Sequence, residues 1–223
     1  MKRILSFILH LQLTIFIGCS QASNLPVKEY AYGSSTPYIF YISGDGGFNA
    51  FSTDLCIGIQ HAGYSITLLN AKSYFWNKKT PEQAATDIGS YIEKQLKNRK
   101  NQGLILAGYS FGAGIIPFIA TRLPDSLKRN LKAVFLLSPS ASTDFEIHWL
   151  DMIGRSKKRD MNVVEEINKM GQQKTVSIFG SEEKDFPLNQ IKLKNFSHFI
   201  ISGGHHFDGH IDILVKIIQK CSI

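Results

Sequence analysis

Six short, almost unbroken apolar runs punctuate the chain: Tyr38–Ser43, Tyr64–Leu69, Leu104–Tyr109, Ala133–Leu137, Thr175–Phe179 and Phe199–Ser202. Continuous apolar character, as opposed to strict alternation, is what strands need when helices cover both faces of their sheet. Helical spacing fills the intervals. The clearest helix begins at Thr80-Pro81-Glu82-Gln83, where Thr80 caps, Pro81 suits the first turn and Gln83 completes a capping box. Its apolar stripe, Ala84, Ile88, Tyr91, Ile92 and Leu96, recurs every three or four residues, which makes it scaffold. A second helix is expected from Gly112 to about Arg122. A last one runs from about His210 to Lys220, with Ile211, Leu214, Val215 and Ile218 facing inward. Strands alternating with helices predict an α/β fold with a mostly parallel sheet. At 223 residues the chain suits one such domain.

The N-terminus departs from this pattern. Lys2-Arg3 precede an apolar stretch from Ile4 to Ile17, interrupted by Ser6, His10, Gln12 and Thr14, and Gly18-Cys19-Ser20 follow. A basic start and an apolar stretch too short to span a bilayer comfortably predict a secretion signal over residues 1–19, leaving a single domain at 20–223. Phe16-Ile17-Gly18-Cys19 further resembles a bacterial lipobox, which would make Cys19 the site of lipid attachment. Cleavage around Ala22 is the alternative. With Cys19 as anchor, Ser20 to Lys28, including Pro26, would form a tether.

Chemistry concentrates at Gly108-Tyr109-Ser110-Phe111-Gly112, which follows one apolar run and opens a helix. This is the G-x-S-x-G pattern of a nucleophile elbow, a turn so tight that its flanking positions admit only small residues. An ordinary tight strand-to-helix turn is the plainer reading. If Ser110 is the nucleophile, a base and a carboxylate should follow it in that chain order with the carboxylate first. Gly203-Gly204-His205-His206-Phe207 lies between the last apolar run and the last helix; His205 is the expected base and His206 the alternate. The acid is expected from Gly180-Ser181-Glu182-Glu183-Lys184-Asp185-Phe186-Pro187. Asp185 is preferred, Glu183 competes because it stands three residues beyond the glycine, and Asp144 after the preceding run is an outside candidate. Oxyanion donors are expected from the backbone N–H of Phe111 and, in the loop Ser43-Gly44-Asp45-Gly46-Gly47-Phe48, from Asp45. Residues 138–170, with Trp149, Met152 and a charged run, are expected either to form a lid over the site or to be a plain helical crossover.

Charge and cysteine content narrow the classes. The formal charge of +7 becomes +5 once Lys2 and Arg3 are removed with no acid. The basic residues are dispersed, apart from clusters at Lys97-Asn98-Arg99-Lys100 and Arg155-Ser156-Lys157-Lys158-Arg159. No aromatic-interleaved basic stripe accompanies them, so no nucleic acid is expected. The second cluster also suits an anionic lipid surface. His205, His206, Asp208 and His210 could be read as metal ligands, but that reading leaves the upstream serine unexplained, so no metal and no cofactor is expected. The glycine loop after the first run lacks the Lys-Ser/Thr of a phosphate-binding loop. Spacing does not decide whether Cys56 and Cys221 pair.

Taken together, Ser43-Gly44-Asp45-Gly46-Gly47-Phe48, Tyr74-Phe75-Trp76 with Lys79-Thr80-Pro81-Glu82-Gln83, Gly108-Tyr109-Ser110-Phe111-Gly112-Ala113 and Gly203-Gly204-His205-His206-Phe207-Asp208 resemble the bacterial VirJ/AcvB family over most of the mature chain. Phe48 departs from the tryptophan usual in that family, and the loop after Asp185 lacks a cysteine often found before its proline. The resemblance implies an α/β-hydrolase fold with a short lid. It also implies a periplasmic enzyme that removes the aminoacyl group from aminoacylated phosphatidylglycerol, notably the lysyl lipid, at a membrane surface. Rival expectations are a general carboxylesterase or thioesterase, and a non-catalytic periplasmic factor that assembles with virulence secretion proteins.

Overall fold

The computed structural model describes residues 25–33, 35–97, 99, 102–148 and 159–222. The expected secretion signal, Cys19, Ala22, Trp149, Met152 and most of the second basic cluster lie outside the described residues. Seven strands form one sheet in the order β1 (Val27–Tyr30), β3 (Ile66–Leu69), β2 (Tyr38–Ile42), β4 (Leu104–Tyr109), β5 (Leu131–Leu137), β8 (Thr175–Gly180), β9 (Phe196–Ile201). All neighbours are parallel except β1, which runs antiparallel to β3. Two further strands, β6 (Ser142–Thr143) and β7 (Met161–Asn162), pair antiparallel outside the sheet.

Alternate residues of each central strand feed opposite cores, which is why the runs read as continuously apolar. Tyr38, Phe40, Ile42, Leu104 and Leu106 enter a core shared with α3 (Pro81–Lys97) and α4 (Phe111–Arg122). Ile39, Tyr41, Ile105, Ala107 and Tyr109 enter the other, shared with α1 (Ala50–His61) and α7 (Ile211–Cys221); the short helices α2 (Ala71–Tyr74) and α5 (Asp125–Asn130) follow β3 and precede β5, respectively. The capping box is formed as read: Gln83 N–H donates to Thr80 Oγ1 at 3.1 Å and Thr80 N–H to Gln83 Oε1 at 2.9 Å. Cys56 in α1 and Cys221 in α7 are free thiols.

Strand β1 corrects the expected tether, because residues 27–30 belong to the sheet. As an edge strand it turns Lys28 and Glu29 to solvent and buries Tyr30, so it carries too little apolar content to be read as a run. Glu29 accepts hydrogen bonds from Tyr91 and from Gln95 Nε2 of α3, fastening the edge to the helix.

The strand order reverses direction at β2, with β3 on one side and β4 on the other. The loops leaving their carboxyl ends diverge there and open the crevice in which open α/β sheets bind ligands. Residues 138–148 and 159–170 pack above this crevice. Their ribbon and α6 (Val163–Asn168) rest on α4 at Gly114, where an added Cβ would lie 3.2 Å from Thr143 and 3.7 Å from Val163.

This covering segment is tied down by one buried carboxylate. Glu166 accepts from Arg122 at 2.6 Å and Thr121 at 2.5 Å, both on α4, and from Lys169 at 2.9 Å. Burial opposes its charge, but the hydrogen bonds from Thr121, Lys169 and Arg122 outweigh it and hold the carboxyl below the ordinary glutamate value. A depressed folded-state value means stability that is present above the unfolded value and lost as the pH falls through the folded one. Glu166→Gln should therefore cost about 2 kcal/mol in urea denaturation at pH 7. The gap to wild type should close as the pH is taken down past 4.5; a gap independent of pH would show that the charge is not what matters.

Candidate active site

The elbow's geometry follows from sterics at two glycines. A Cβ on Gly112 would run into the carbonyl oxygens of Ile42 and Ser43, and one on Gly108 would lie 2.5 Å from the Gly112 carbonyl. Only glycine lets the first turn of α4 pass so close to the end of β2. Ser110 between them adopts φ 51° and ψ −114°, a left-handed conformation that non-glycine residues rarely take. Its N–H donates to Leu137 O at 2.8 Å, and its own carbonyl accepts from Gly114 N–H at 3.1 Å. The side chain is thereby raised off the sheet.

His205 meets it there. Ser110 Oγ lies 2.8 Å from His205 Nε2, and His205 Nδ1 lies 2.7 Å from Glu183 Oε1. The second oxygen of Glu183 accepts from Ser138 Oγ at 2.7 Å and Gly180 N–H at 2.8 Å. Burial works against the Glu183 charge, but the hydrogen bonds from His205, Ser138 and Gly180 prevail and hold its carboxyl below the ordinary range. An ionised carboxylate only accepts, so Nδ1 carries the proton and Nε2 is left as the acceptor for the serine hydroxyl.

The expected acid is corrected here, since Glu183 and not Asp185 reaches His205. The turn after β8 is tight: Glu183 N–H donates to Gly180 O at 3.1 Å, so a side chain three residues past the glycine folds back over the strand end. Asp185 lies two residues further along, exposed at the cleft wall, before Phe186 packs on Phe179. Asp144 pairs with His148 at 2.7 Å and Arg159 at 3.7 Å. His206 turns from the serine to Tyr109, whose hydroxyl is 2.7 Å from its Nδ1. Among the described residues no group of His, Cys, Asp and Glu converges as a metal-ligand set.

A second pair of glycines joins the acid and base loops. A Cβ on Gly180 would overlap the Gly204 carbonyl, and one on Gly203, at φ 103°, would overlap the Asp208 carboxylate. Sequence reasoning missed Ser138. It follows β5 at φ 49°, is buried, and donates to the acid. Its only signal is its place at a strand's carboxyl end beside the two loops that carry chemistry.

Phe111 and Asp45 both line the cleft, as oxyanion donors would require. Phe111 opens α4, where first-turn N–H groups have no acceptor within the helix. The loop of Asp45 passes close to the serine, since a Cβ on Gly44 would lie 3.5 Å from Ser110 Cβ. The loop is braced by Gly47 N–H donating to Gly44 O at 3.0 Å and Ala71 N–H donating to Ser43 Oγ at 3.0 Å. The cleft holds about 740 Å³, and Ser142, Thr143, Asp144, Glu146 and Ile147 of the covering segment form its far wall.

The sequence profile of a family described as bacterial virulence protein (VirJ) matches residues 37–222. No curated protein matches the chain in sequence. Among solved structures it is similar to Est1E from Butyrivibrio proteoclasticus, with TM-score 0.63, 15% identity and coverage of 89% of this chain and 93% of that one. A lipase-esterase related protein from Clostridium acetobutylicum gives TM-score 0.62, 15% identity and coverage of 88% and 99%. The thioesterase domain from the curacin biosynthetic pathway gives 0.58, 14%, 86% and 94%. These likenesses establish the α/β-hydrolase fold.

The geometry distinguishes the two carboxylates of the acid loop. Glu183→Gln should leave the fold intact and lower kcat for a short p-nitrophenyl ester by about 10³- to 10⁴-fold, by analogy with removal of a triad charge. Asp185→Asn should stay within about threefold of wild type, as an exposed surface substitution does. The reverse ranking in steady-state kinetics would restore Asp185 as the acid.

Proposed function

The chain belongs to the VirJ family of bacterial virulence proteins, and from that premise and its cleft we propose that it is an exported serine hydrolase acting on the aminoacyl ester of lysyl-phosphatidylglycerol or a related aminoacylated lipid. The observation that carries the hydrolase reading is the aligned series Ser110 Oγ to His205 Nε2 at 2.8 Å and His205 Nδ1 to Glu183 at 2.7 Å. In this mechanism Ser110 Oγ attacks the aminoacyl carbonyl while His205 takes its proton. The oxyanion rests on the N–H groups of Phe111 and Asp45. Collapse of the tetrahedral intermediate breaks the ester bond, and His205 protonates the departing glycerol oxygen. Water, deprotonated by His205, then attacks the aminoacyl-enzyme, and the amino acid leaves as Ser110 regains its proton.

Electrostatics support a cationic acyl group. Asp45, Glu146 and Asp185 face the cleft, and among the described residues no ion pair ties any of them. On a chain of formal charge +7, these three carboxylates, in a cleft whose Arg159 is paired with Asp144, would attract an ammonium-bearing substrate. The lipid part of the reading draws on Phe48 and Trp76, which are 41% and 57% exposed; Phe48 lies in the chain between the cleft residues Asp45 and Asn49, and Trp76 follows Phe75, whose ring packs on Phe111. Aromatic side chains exposed in this way suit the headgroup boundary of a bilayer. No helix among the described residues is long and apolar enough to cross a membrane.

Purified protein given vesicles of lysyl-phosphatidylglycerol should release free lysine, detected by mass spectrometry, and Ser110→Ala should release none. Asp45→Asn combined with Glu146→Gln should raise KM for the lysyl lipid by about thirtyfold, since each lost charge contact weakens binding by roughly a kilocalorie, while leaving a neutral p-nitrophenyl ester unaffected. Turnover of neutral esters without lysine release would reduce the reading to a general carboxylesterase. A folded Ser110→Ala variant that fully supports virulence secretion with lipid turnover unchanged would favour an assembly factor.

A further inference from the structure

His206 is not used by the mechanism above, yet it is joined to the residue that precedes the nucleophile. Its Nδ1 lies 2.7 Å from the hydroxyl of Tyr109, and that same hydroxyl lies 3.2 Å from the main-chain carbonyl oxygen of His205. Tyr109 is the residue immediately before the nucleophile and the last of β4. One side chain thus reaches from the strand that presents Ser110 to the backbone of the base.

Proton counting limits how this works. The tyrosine hydroxyl carries one hydrogen and faces two atoms that can accept it. If it donates to His206 Nδ1, the carbonyl contact is not a hydrogen bond. Both contacts are hydrogen bonds when His206 bears its proton on Nδ1: that N–H donates to the Tyr109 oxygen, and the Tyr109 O–H donates to the His205 carbonyl. Burial, reinforced by the charges of Glu183 and Asp45, pushes the Tyr109 hydroxyl well above its ordinary pKa, so the proton stays in place to be donated.

The base needs such a hold. His205 and His206 are both exposed, and the backbone on either side is in unusual conformations, with φ 103° at Gly203, 54° at Phe207 and 47° at Asp208. Phe207 anchors the far end by complete burial against Phe51, with ring centroids 6.0 Å apart. Phe51 also packs on Tyr109 at 4.4 Å and on His206 at 6.0 Å, so the hydroxyl and the imidazole meet at the edge of an aromatic cluster that limits their motion.

We propose that His206 and Tyr109 are positioning residues for the base, His206 Nδ1–H donating to the Tyr109 hydroxyl and Tyr109 O–H to the His205 carbonyl, so that nucleophile and base are held in register through the residue next to the nucleophile. The inference rests on the hydrolase reading for its kinetic consequence, but the tautomer it requires does not.

Long-range ¹H–¹⁵N spectra of the wild-type protein should show His206 protonated on Nδ1, and Tyr109→Phe should move it to the Nε2–H form; an Nε2–H tautomer in the wild type overturns the proposal. In ester hydrolysis, Tyr109→Phe and His206→Phe should each lower kcat about tenfold with KM within about twofold, the size expected for losing one well-placed hydrogen bond in the transition state. His206→Asn, whose amide can still donate to the tyrosine oxygen, should recover to within about threefold of wild type. The double variant Tyr109→Phe/His206→Phe should be no slower than either single one, because both break the same link. Additive losses, or His206→Phe at the wild-type rate, count against it. A wild-type protein that hydrolyses no ester removes the hydrolase reading, and the tautomer then decides the relay alone.

Discussion

The close approach of the first turn of α4 to the end of β2 governs everything at the carboxyl edge of the sheet. With the carbonyl oxygens of Ile42 and Ser43 set against the Cα of Gly112, any side chain there forces the helix away from the strand. Because the helix cannot retreat, the turn between β4 and α4 must close in a single residue, and Ser110 accepts the left-handed backbone that results. The same contact brings the Gly44 loop beside the serine, so nucleophile and oxyanion loop are placed by one steric fact. The strain at Ser110 is compensated by the hydrogen bonds of its peptide groups to Leu137 and Gly114 and by burial of the strand that precedes it.

The acid and the base depend on the second such contact. Gly180 receives the carbonyl of Gly204, which sets the loop after β9 directly on the end of β8. At that distance a glutamate three residues past Gly180 can accept from the strand's own N–H and still meet the imidazole of His205. Ser138 completes the enclosure from β5, so each loop that bears a functional group is braced by a neighbouring strand end. Hydrogen bonds to an ionised carboxylate contribute about 1.5–3 kcal/mol each, enough to outweigh the burial of Glu183 and keep it charged.

What could be read in advance follows from the same physics. The five interior strands were legible because helices cover them on both faces and demand uninterrupted apolar side chains; edge strand β9 was caught only from Phe199 on, because Ser197 and His198 are exposed, and edge strand β1 was not, because Lys28 and Glu29 are exposed. The elbow was legible because sterics admit glycine alone at Gly108 and Gly112. The choice between Glu183 and Asp185 was not, because it turns on how sharply the chain bends after β8, and that bend depends on a carbonyl contributed by Gly204, 24 residues away. The spacing from Gly180 to Glu183 held the information, but side-chain preference for aspartate pointed the other way. Ser138 and the hydroxyl of Tyr109 act through contacts across strands, to which no local pattern corresponds.

Charge then separates the site from the scaffold that carries it. The chain is basic, yet Asp45, Glu146 and Asp185 face the cleft with no ion pair among the described residues, although Arg159, paired with Asp144, lines the same cleft, while Glu166, which serves the scaffold, is held by Arg122, Lys169 and Thr121. A carboxylate whose task is structural is stabilised by fixed partners, since a buried charge without them would unfold the segment it holds. A carboxylate without such partners stands at an exposed or half-exposed position, where water solvates it at little cost. Around the cleft, Glu183 is held by His205 and Asp144 by His148 and Arg159, and Asp45, Glu146 and Asp185 form no ion pair among the described residues. On the proposed reading, an ammonium group entering the cleft would meet carboxylates whose charge no ion pair among the described residues neutralises.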